Sequence, residues 1–371
     1  MASNAHHISV CALVPYPPER VPSQRFRLEQ WLPALQRAGI EVELRPFADE
    51  RLMEVLHQPG RPVAKAAALA AAFARRIADV AAAPRYDAVV IHRAACLVGP
   101  ALLERALKLL NCPVIFDFDD AIFALHTTAA NRRFGWLKFP QKTAAICRIS
   151  SHVVVGNEFL ADYARQFNDR VTIIPTSIET DRYRALRKSH NGNGQRVVIG
   201  WTGSSTSQTY LEMFAPVLRE FMRHRDVELR VISDREPDLP GIPYVWQSWT
   251  AETEIELLRG FDIGIMPMPD DQWARGKCAM KALQCMALGI PTVCSAVGAN
   301  REVIRHGENG LLAGTPEEWM VNLKSLVDDP SLRERLGQAG RQTVEDRYSA
   351  RRCAKAFAEV VRETIGERNA R

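Results

Sequence analysis

The chain has 371 residues, of which 47% are hydrophobic and 25% charged, with a formal net charge of +5 at neutral pH. This length favours two domains, each with enough apolar material for a buried sheet. The charge is mild and diffuse and is not interleaved with aromatic residues, which argues against a nucleic-acid partner and favours anionic small molecules or a weak preference for a membrane surface.

The eight cysteines are scattered and form no C-x-x-C pair. Several of them, including Cys11, Cys96 and Cys294, lie inside apolar runs, so we expect reduced, buried thiols in a cytoplasmic protein. The first residues lack the basic start and apolar core of a signal peptide. No apolar segment has the length of a membrane span, and charges interrupt the alanine-rich helical segment at 64–83.

In the first half of the chain, apolar runs alternate with helical patterns, as in a parallel α/β sheet. Strands are expected at 8–14 and 40–45, and strand-to-loop transitions at 88–95 and 113–123. A strand followed by a helix is expected at 152–167, with Asn157 as the N-cap, and 171–183 is expected to be a strand that leads into a linker. A helix with the apolar stripe Phe26, Trp31 and Leu35 should follow the first strand. The polar segment after residue 183 is typical of a linker.

Polar residues follow three of these strands: Arg25 and Arg27 after the first, His92 and Arg93 after the run at 88, and Asp117, Asp119 and Asp120 after the run at 113. Cations at a helix start are disfavoured by the helix dipole, and acids inside an apolar run cost free energy unless they are paired or bind something. Arginine partners are the simpler explanation for these acids. A metal site at Asp117 and Asp119 would lack an evident third ligand.

A second α/β pattern begins at residue 196. Strands are expected near 196–202, 227–233 and 242–249, with Trp246 or Trp249 either in the core or beside a nucleotide base. Gly203, Ser204 and Ser205 follow the first of these strands and offer amides and hydroxyls without bulk. An anion cradle needs such groups, although a loop of this kind alone is weak evidence.

The segment 261–304 predicts a strand at 263–268, a loop, a helix from Gly276, and a strand at 290–294. Ala279, Leu283 and Met286 form the expected core-facing stripe of this helix, whereas Lys277, Lys281 and Gln284 fall on a different, wet and basic face. In open α/β folds the loop and first helical turn lie at the carboxyl edge of the sheet, where ligands bind. Free amides and two ammonium groups suit a diphosphate there. The alternative is a solvated helix face.

Together these segments resemble glycosyltransferase family 4, whose GT-B architecture places two Rossmann-like, doubly wound domains across a cleft. The similarity rests on MALGIPTVCSAVGANREVIRHGENGLL at 286–312, on VVVGNEFL and VTIIPTSIETDRY before the linker, and on IFDFDDAIF, GWTGSS and GKCAMKALQCMA, which suggest one subgroup. The implied domains are 1–183 on the acceptor side, a linker at 184–195, a donor domain at 196–347, and a helix at 348–371 that returns to the first domain.

The resemblance implies retaining transfer of a sugar from a nucleotide diphosphate sugar, the co-substrate, to a glycan or lipid-linked acceptor, with no metal and no other cofactor. Peripheral contact with the inner face of the membrane stays open. The implied catalytic residues are Lys281, Lys277 and Asp117. The implied donor site comprises Gly203, Ser204, Ser205, Trp249, Gly276, Cys278 and Gln284. The implied acceptor or sugar side comprises Arg25, Arg27, His92, Arg93, Asp119 and Asp120.

The chain departs from the family pattern at three single positions and in GWTGSSTSQ, which has no evident match for the Arg and Lys that the family commonly has after the first strand of the second domain. Gly276 and Gln284 stand where the family has two glutamates, and Asp117 stands where it often has a histidine. Gln284 can still bond ribose hydroxyls but supplies no charge. Two alternatives therefore stay open: an epimerase or hydrolase of nucleotide sugars on the same fold, and a donor-binding partner subunit with little catalysis of its own.

Overall fold

The computed structural model describes residues 7–56, 60–124, 139, 141–185 and 196–370. These residues form two compact units: unit 1, within Met1–Thr176 and Ala350–Arg371, and unit 2, Ser177–Ser349. Most of the predicted linker, residues 186–195, lies outside the described residues. Within the described ranges, no helix combines the length and the apolar character that crossing a bilayer requires.

Unit 1 contains a parallel sheet of six strands in the order β2-β1-β3-β4-β5-β6. Helices cover both faces of such a sheet, so its central strands are buried on both sides and form continuous apolar runs, which is why the sequence locates them well. The strands are β1 (Ile8–Val14), β2 (Ile40–Pro46), β3 (Ala88–His92), β4 (Val114–Phe118), β5 (His152–Val155) and β6 (Val171–Ile173).

The helix predicted after β1 is divided into three short pieces. A turn of 3-10 helix at Glu29–Trp31 separates its two α-helical parts, and Pro33, which has no amide hydrogen, lies in the first turn of the second part. The predicted stripe of Phe26, Trp31 and Leu35 is nevertheless fully buried. The helices up to β6 are α1 (Pro22–Arg27), α2 (Leu32–Arg37), α3 (Glu50–Leu56), α4 (Pro62–Ala82), α5 (Leu102–Leu109), α6 (Lys142–Ile149) and α7 (Glu158–Arg165).

Unit 2 contains a second parallel sheet of six strands, in the order β12-β11-β10-β7-β8-β9. The three-residue β12 has no predicted counterpart, whereas the other five strands lie within or beside the predicted runs. They are β7 (Val197–Thr202), β8 (Val227–Ser233), β9 (Tyr244–Ser248), β10 (Ile263–Met266), β11 (Thr292–Ser295) and β12 (Leu311–Ala313).

The helix expected from Gly276 begins four residues later than predicted. Gly276 ends a single helical turn, and the chain then reverses at Ala279, which has a left-handed φ of 53°. Lys277 therefore lies before the helix and not on it. The helices of unit 2 are α8 (Ser205–His224), α9 (Glu254–Arg259), α10 (Gln272–Arg275), α11 (Met280–Ala287), α12 (Ala299–Val303), α13 (Pro316–Asp328) and α14 (Pro330–Arg347).

The last helix, α15 (Ala350–Ala370), belongs to unit 1. Its stripe of Cys353, Phe357, Val360 and Val361 is buried in the same apolar cluster as β1, β3 and α2. The rings of Phe357 and Trp31 lie 5.3 Å apart. Burial of this stripe fixes the helix against one face of the first sheet.

The two sheets confirm the predicted class, an α/β protein with two doubly wound units. In each sheet the strand order reverses once, between β1 and β3 in unit 1 and between β7 and β10 in unit 2. Loops that leave the carboxyl ends of the strands beside such a reversal diverge to opposite faces, and the crevice between them is where ligands bind in open α/β sheets.

Candidate functional site

The reversal in unit 2 brings together the loop after β7 and the start of α11. Lys281 donates a hydrogen bond from Nζ to Ser207 Oγ at 3.0 Å, and Ser207 Oγ donates to the carbonyl oxygen of Ser204 at 3.0 Å. Two segments separated by more than seventy residues thus share one serine. The sequence did not identify Ser207, although a hydroxyl on the first turn of a helix after a Gly/Ser loop is a signal that could have found it.

The ring of Trp201, near the end of β7, packs against Lys281 on the buried side of this site. It is fully buried, and its ring centroid lies 4.7 Å from Lys281 Nζ, a distance typical of a cation–π contact. A Cβ atom on Gly203 would lie 2.5 Å from the Trp201 ring and 2.6 Å from Ser207 Oγ. Residue 203 must therefore be glycine for the tryptophan, the serine and the lysine to keep these positions.

The predicted anion cradle at Gly203, Ser204 and Ser205 is partly occupied by the protein itself. Ser205 donates from its amide to Asp234 Oδ1 at 2.6 Å and from its hydroxyl to Asp234 Oδ2 at 3.0 Å. The N-terminus of α8 thus already holds one carboxylate. Because the first amides of a helix have no acceptor within it, such a carboxylate is a common cap.

Gly276, Lys277 and Cys278 form the turn before α11. The amides of Gly276 and Lys277 donate to Gln272 and Ala274 carbonyl oxygens at 3.2 and 3.0 Å, so they are not the free amides that the sequence predicted. Lys277 Nζ lies 4.5 Å from the centroid of the Trp273 ring, and Cys278 is buried.

The backbone of Arg275 also approaches the start of α12 closely. A Cβ atom on Gly298, whose φ is 49°, would lie 2.8 Å from the Arg275 carbonyl oxygen. The turn before α11 and the loop after β11 therefore pack backbone against backbone, which requires glycine at 298.

Lys281 is only partly exposed, and its environment disfavours its charge. Burial, and then repulsion from the nearby Lys277 ammonium, lower the pKa of Lys281 from 10.5 to about 7. An anion bound beside both lysines would reverse the second effect, because it attracts both positive charges. The site is therefore electrostatically prepared for a negative ligand.

Gln284 does not lie on a wet face with the lysines, as the sequence predicted. It is 2% exposed, because α11 is packed against α14, β10 and β11. Gln284 Nε2 donates to the Tyr183 hydroxyl at 3.2 Å, and Tyr183 donates to Glu254 Oε2 at 2.6 Å. Trp249 Nε1 donates to the other oxygen of Glu254 at 2.9 Å. Trp249 and Gln284, both predicted donor-site residues, thus belong to one hydrogen-bonded network.

The reversal in unit 1 collects polar residues from three segments. Arg27 is fully buried; its Nε lies 3.1 Å from Asp117 Oδ1, and its guanidinium also donates to the carbonyl oxygen of Ile174. The other oxygen of Asp117 lies 2.7 Å from His92 Nδ1. Arg27 and Asp117, both predicted site residues, are thus buried and paired with each other, and an arginine partner for these acids is what the sequence offered as the simpler explanation.

A second set of contacts extends this cluster toward solvent. The Ser23 hydroxyl donates to Asp119 Oδ1 at 2.7 Å and lies 3.2 Å from His92 Nε2. Arg93 Nε lies 3.3 Å from Asp119 Oδ1, and its guanidinium also pairs with Asp120. Of this predicted acceptor-side group the structure therefore joins His92, Arg93, Asp119 and Asp120 and adds Ser23, which the sequence did not single out. Arg25 is buried, with its guanidinium carbon 4.6 Å from the Phe26 ring centroid.

Both central carboxyls of this cluster are held ionised. Burial alone would raise the pKa of Asp117, but the Arg27 charge and the His92 contact outweigh it, so that the pKa lies below its ordinary value. For Asp119 burial is likewise outweighed, chiefly by Arg93, His92 and Arg27, and its pKa falls to about 2. In the part of the chain that the structure describes, no group of three or more histidine, cysteine and acidic side chains is arranged to hold a metal ion.

Two family models match the chain, one in each half. The model for Glycosyltransferase Family 4 matches residues 26–182, and the model for Glycosyl transferases group 1 matches residues 196–329. The matched ranges contain most of the polar residues described above, with Ser23, Arg25 and Tyr183 outside them.

Curated relatives are distant. An MMP alpha-(1->4)-mannosyltransferase of Mycolicibacterium hassiacum is 23% identical over 305 residues, which are 75% of this chain and 71% of that protein. A D-inositol 3-phosphate glycosyltransferase of Thermobispora bispora is 29% identical over 109 residues, 29% of this chain and 24% of that protein.

Solved structures share the fold over nearly the whole chain. A sucrose-phosphate synthase from Thermosynechococcus elongatus has a TM-score of 0.70 at 13% identity, covering 97% of this chain and all of that one. HepE of Anabaena, in complex with UDP and glucose, has a TM-score of 0.66 at 13% identity, covering 96% of this chain and all of that one. At this identity the likeness shows the fold.

Proposed function

We propose that the chain, which matches glycosyltransferase models in both halves, binds a nucleotide diphosphate sugar in unit 2 through Lys281 and Lys277 for transfer to a glycan or lipid-linked acceptor. The observation that carries the proposal is the contact of Lys281 with Ser207 and Trp201, which places an ammonium group at the strand reversal of a Rossmann-like sheet. The UDP and UDP-glucose bound in HepE structures support this class of donor.

Transfer requires that negative charge developing on the leaving diphosphate be stabilised as the glycosidic bond breaks. Lys281 and Lys277 supply the positive groups that face this charge. Lys281 is held by a buried ring and a serine, which limits the reorganisation needed when charge develops. The ammonium groups take the part that a metal ion plays in other transferases, so the proposed mechanism uses the nucleotide sugar alone.

Gln284 and Gly276 are proposed to act differently from the glutamates that the resemblance implies at these positions. Gln284 holds Tyr183 and, through it, Glu254, so its contribution is to orient the network that includes Trp249. Gly276 contributes only backbone to the turn that carries Lys277. We propose that this network borders the nucleotide, with Trp249 beside its base or ribose.

Unit 1 is proposed to bind the acceptor and the transferred sugar. Arg93, Asp119 and Asp120 lie at the carboxyl edge of its sheet, and their side chains are 20%, 10% and 14% exposed. Such partly exposed charged groups suit the hydroxyl groups of a sugar. The buried Asp117 pairs with Arg27 and is connected to Asp119 through His92 and Ser23. Retention of the anomeric configuration, without a covalent intermediate, is the outcome expected from the resemblance to family 4.

Helix α5 supports a proposal of peripheral membrane contact at the cytoplasmic face. Its leucines Leu102 and Leu109, with the following Leu110, are 63%, 83% and 43% exposed. Arg105 and Lys108 are exposed beside them, whereas the helix's acid, Glu104, is buried and paired with Lys142 at 2.9 Å. An exposed face with apolar and basic residues and no acid fits an anionic lipid surface, where a lipid-linked acceptor would be found.

A second candidate function, a donor-binding partner subunit with little catalysis, is favoured by one observation: both glutamates of the family pattern are absent, and Gln284 is buried. A nucleotide-sugar epimerase or hydrolase on this fold is separated from a transferase by its products. Nuclear magnetic resonance of the products distinguishes a glycoside with retained anomer, a free or epimerised sugar, and no turnover despite binding.

The deciding experiment is a thermal-shift screen of nucleotide sugars with wild-type protein, Lys281→Ala and Lys324→Ala. A ligand that binds the native state raises the melting temperature. At a ligand concentration of a hundred times Kd, the native state is stabilised by about 2.7 kcal/mol. We expect the shift to disappear in Lys281→Ala and to persist in Lys324→Ala, a surface lysine paired with Asp328. A full shift in Lys281→Ala would place the diphosphate elsewhere.

A further inference from the structure

The turn that carries Arg93 has a strained backbone. Arg93 directly follows β3 and has a left-handed φ of 62°, a conformation that residues with side chains disfavour. Its amide donates to the carbonyl oxygen of Asp117 at 2.7 Å, and the amide of Ala94 donates back to the carbonyl oxygen of His92 at 2.7 Å. Because such a conformation persists only where the surrounding structure holds it, the contacts of the following residues are informative.

A buried ion pair holds the backbone directly after this turn. Lys142 Nζ lies 2.9 Å from Glu104 Oε1, and the two side chains are 6% and 0% exposed. Glu104 Oε1 also accepts a hydrogen bond from the amide of Ala95 at 3.2 Å, and Lys142 Nζ donates to the carbonyl oxygen of Cys96 at 3.1 Å. Glu104 lies on α5 and Lys142 on the first turn of α6, so two helices together hold one short stretch of backbone.

The charges of this pair do something that apolar side chains could not do. Burying two charges costs hydration free energy, and apolar residues of similar volume often stabilise a fold as well or better. Apolar residues, however, can neither accept a hydrogen bond from the Ala95 amide nor donate one to the Cys96 carbonyl. Ala95 and Cys96 are buried, so these backbone groups need partners inside the protein. The ion pair therefore supplies polar contacts to the turn as well as packing.

The position of the turn determines where the Arg93 side chain lies. Arg93 Nε is 3.3 Å from Asp119 Oδ1, and its guanidinium also pairs with Asp120. Burial raises the pKa of Asp119, and among the positive charges that lower this pKa the largest contribution comes from Arg93. A displacement of the turn would therefore weaken the interaction of Arg93 with Asp119 at the carboxyl edge of the first sheet.

We propose that Glu104 and Lys142 are positioning residues that hold the backbone after Arg93 and thereby fix the Arg93 side chain beside Asp119. They act through the turn and not by touching the sugar or the acceptor. The importance of Arg93 for acceptor binding rests on the proposed function. The positioning itself is a property of unit 1 without ligand, so a failed transferase assignment and a failed positioning role give different results.

The test is the energetic coupling between Arg93 and Asp119, measured by urea unfolding in a double-mutant cycle of Arg93→Ala and Asp119→Asn. The cycle is measured in wild type and in Glu104→Leu/Lys142→Met, the clamp variant, which removes both charges of the pair and so leaves neither buried alone. We expect a coupling in wild type and the loss of more than half of it in the clamp variant. A pair that only stabilised the fold would change overall stability and leave this coupling unchanged.

Arg76→Met/Asp79→Leu is the matched control. Arg76 is another buried cation of unit 1; it lies 3.3 Å from Asp79 and donates to a backbone carbonyl oxygen, that of Val14, at 3.0 Å. This double variant should leave the coupling unchanged. Equal couplings in wild type and the clamp variant, or equal losses in the clamp variant and the control, overturn the proposal. If the clamp variant does not fold, hydrogen exchange in wild type decides: an Ala95 amide that exchanges as fast as an unprotected one overturns the proposal, and a protected one supports it.

Discussion

Gln284 donates a hydrogen bond to the hydroxyl of Tyr183, 3.2 Å away, and that hydroxyl donates to the buried carboxylate of Glu254 at 2.6 Å. A neutral amide therefore stands where the family resemblance implies a glutamate. A carboxylate at 284 would compete with Glu254 for the single hydrogen of Tyr183, and one of the two acids would lose that hydrogen bond.

Gln284→Glu, which introduces the family residue, should therefore destabilise the protein and not strengthen donor binding. We expect the free energy of unfolding to fall by about 1–3 kcal/mol, the cost of an unsatisfied buried polar group. Urea unfolding measures it. Gln338→Glu, at an exposed glutamine that also bonds a glutamate, should change stability by less than about 0.5 kcal/mol. If Gln284→Glu were as stable as wild type and bound UDP more tightly, the proposed role of Gln284 as donor to Tyr183 would be wrong.

Donor affinity should depend on pH through Lys281. The pKa of Lys281 without ligand is about 7, and a bound diphosphate raises it, so above neutral pH binding must take up a proton. UDP-glucose affinity should be flat below pH 7 and fall by up to about tenfold per pH unit above it. Calorimetry of UDP-glucose binding across this range measures the slope.

Lys281→Arg is the control for this dependence, because a guanidinium keeps its charge throughout the range. Its affinity should be lower than that of wild type near neutral pH, since its geometry differs, but should not change with pH. An equal slope in Lys281→Arg and wild type would assign the pH dependence to another group.

Gly203→Ala should displace the side chains that hold Lys281 in the proposed donor site. The added Cβ would lie 2.5 Å from the Trp201 ring and 2.6 Å from Ser207 Oγ, the two groups that contact Lys281. Because the buried ring cannot move freely, we expect a loss of about 1–3 kcal/mol in stability together with weaker UDP binding. Gly366→Ala, with nothing within 4 Å on α15, should be neutral or slightly stabilising. If Gly203→Ala bound UDP as wild type does, Trp201 would not be part of the donor site.

Asp119 should stabilise the protein except in acid. Its pKa is lowered from 3.8 to about 2 in the folded state, so its contribution is present above the unfolded pKa and is lost as pH falls toward 2. The contribution amounts to about 2 kcal/mol. The stability difference between wild type and Asp119→Asn, measured by urea unfolding, should shrink as the solution is acidified below pH 4.

The matched comparison is Asp226→Asn, at an exposed aspartate paired with an exposed arginine. Its stability difference from wild type should be small at every pH, because exposed pairs contribute little. If the Asp119→Asn difference did not change with acidity, the carboxylate would not be held by the charges around it.

Membrane contact through α5 predicts selective binding to anionic vesicles. Replacing Leu102, Leu109 and Leu110 by glutamine should abolish cosedimentation with phosphatidylglycerol vesicles, because the buried apolar area on the lipid side is removed. Glutamine at Met213 and Val321, which are 61% and 66% exposed in unit 2, should leave binding intact. Binding that persists in the triple variant, or that is equal for neutral vesicles, would exclude this surface.

Apolar runs located the strands well because buried parallel strands need no polar alternation. The observed bounds of β1 and β8 are the predicted ones, Ile8–Val14 and Val227–Ser233. The start of α11 was wrong by four residues, because the left-handed turn is at Ala279, a residue type that rarely marks such turns. The helical periodicity also placed Gln284 on a wet face, because periodicity does not show that other elements cover α11 on nearly every side.

The site residues divide in the same way. The sequence predicted the polar groups that follow β1, β3, β4, β7 and β10, because strand ends are visible in the pattern. It did not identify Ser23, Trp201 or Ser207, since their importance depends on partners far along the chain. Ser23 meets Asp119, and Ser207 meets Lys281. The assignment of the donor and acceptor residues to their ligands stays a prediction.

The order of strands and helices, the double α/β character and the family resemblance are all determined by the sequence, because they depend on local periodicity and on contiguous motifs. Only the tertiary structure decided which polar groups are neighbours and which are buried. Strand order at the two reversals brings segments of remote sequence together. Burial there lowers the pKa of Lys281, whereas neighbouring positive charges outweigh burial and keep Asp117 and Asp119 ionised. Charge and proximity are properties of that three-dimensional arrangement, so no reading along the chain could assign them.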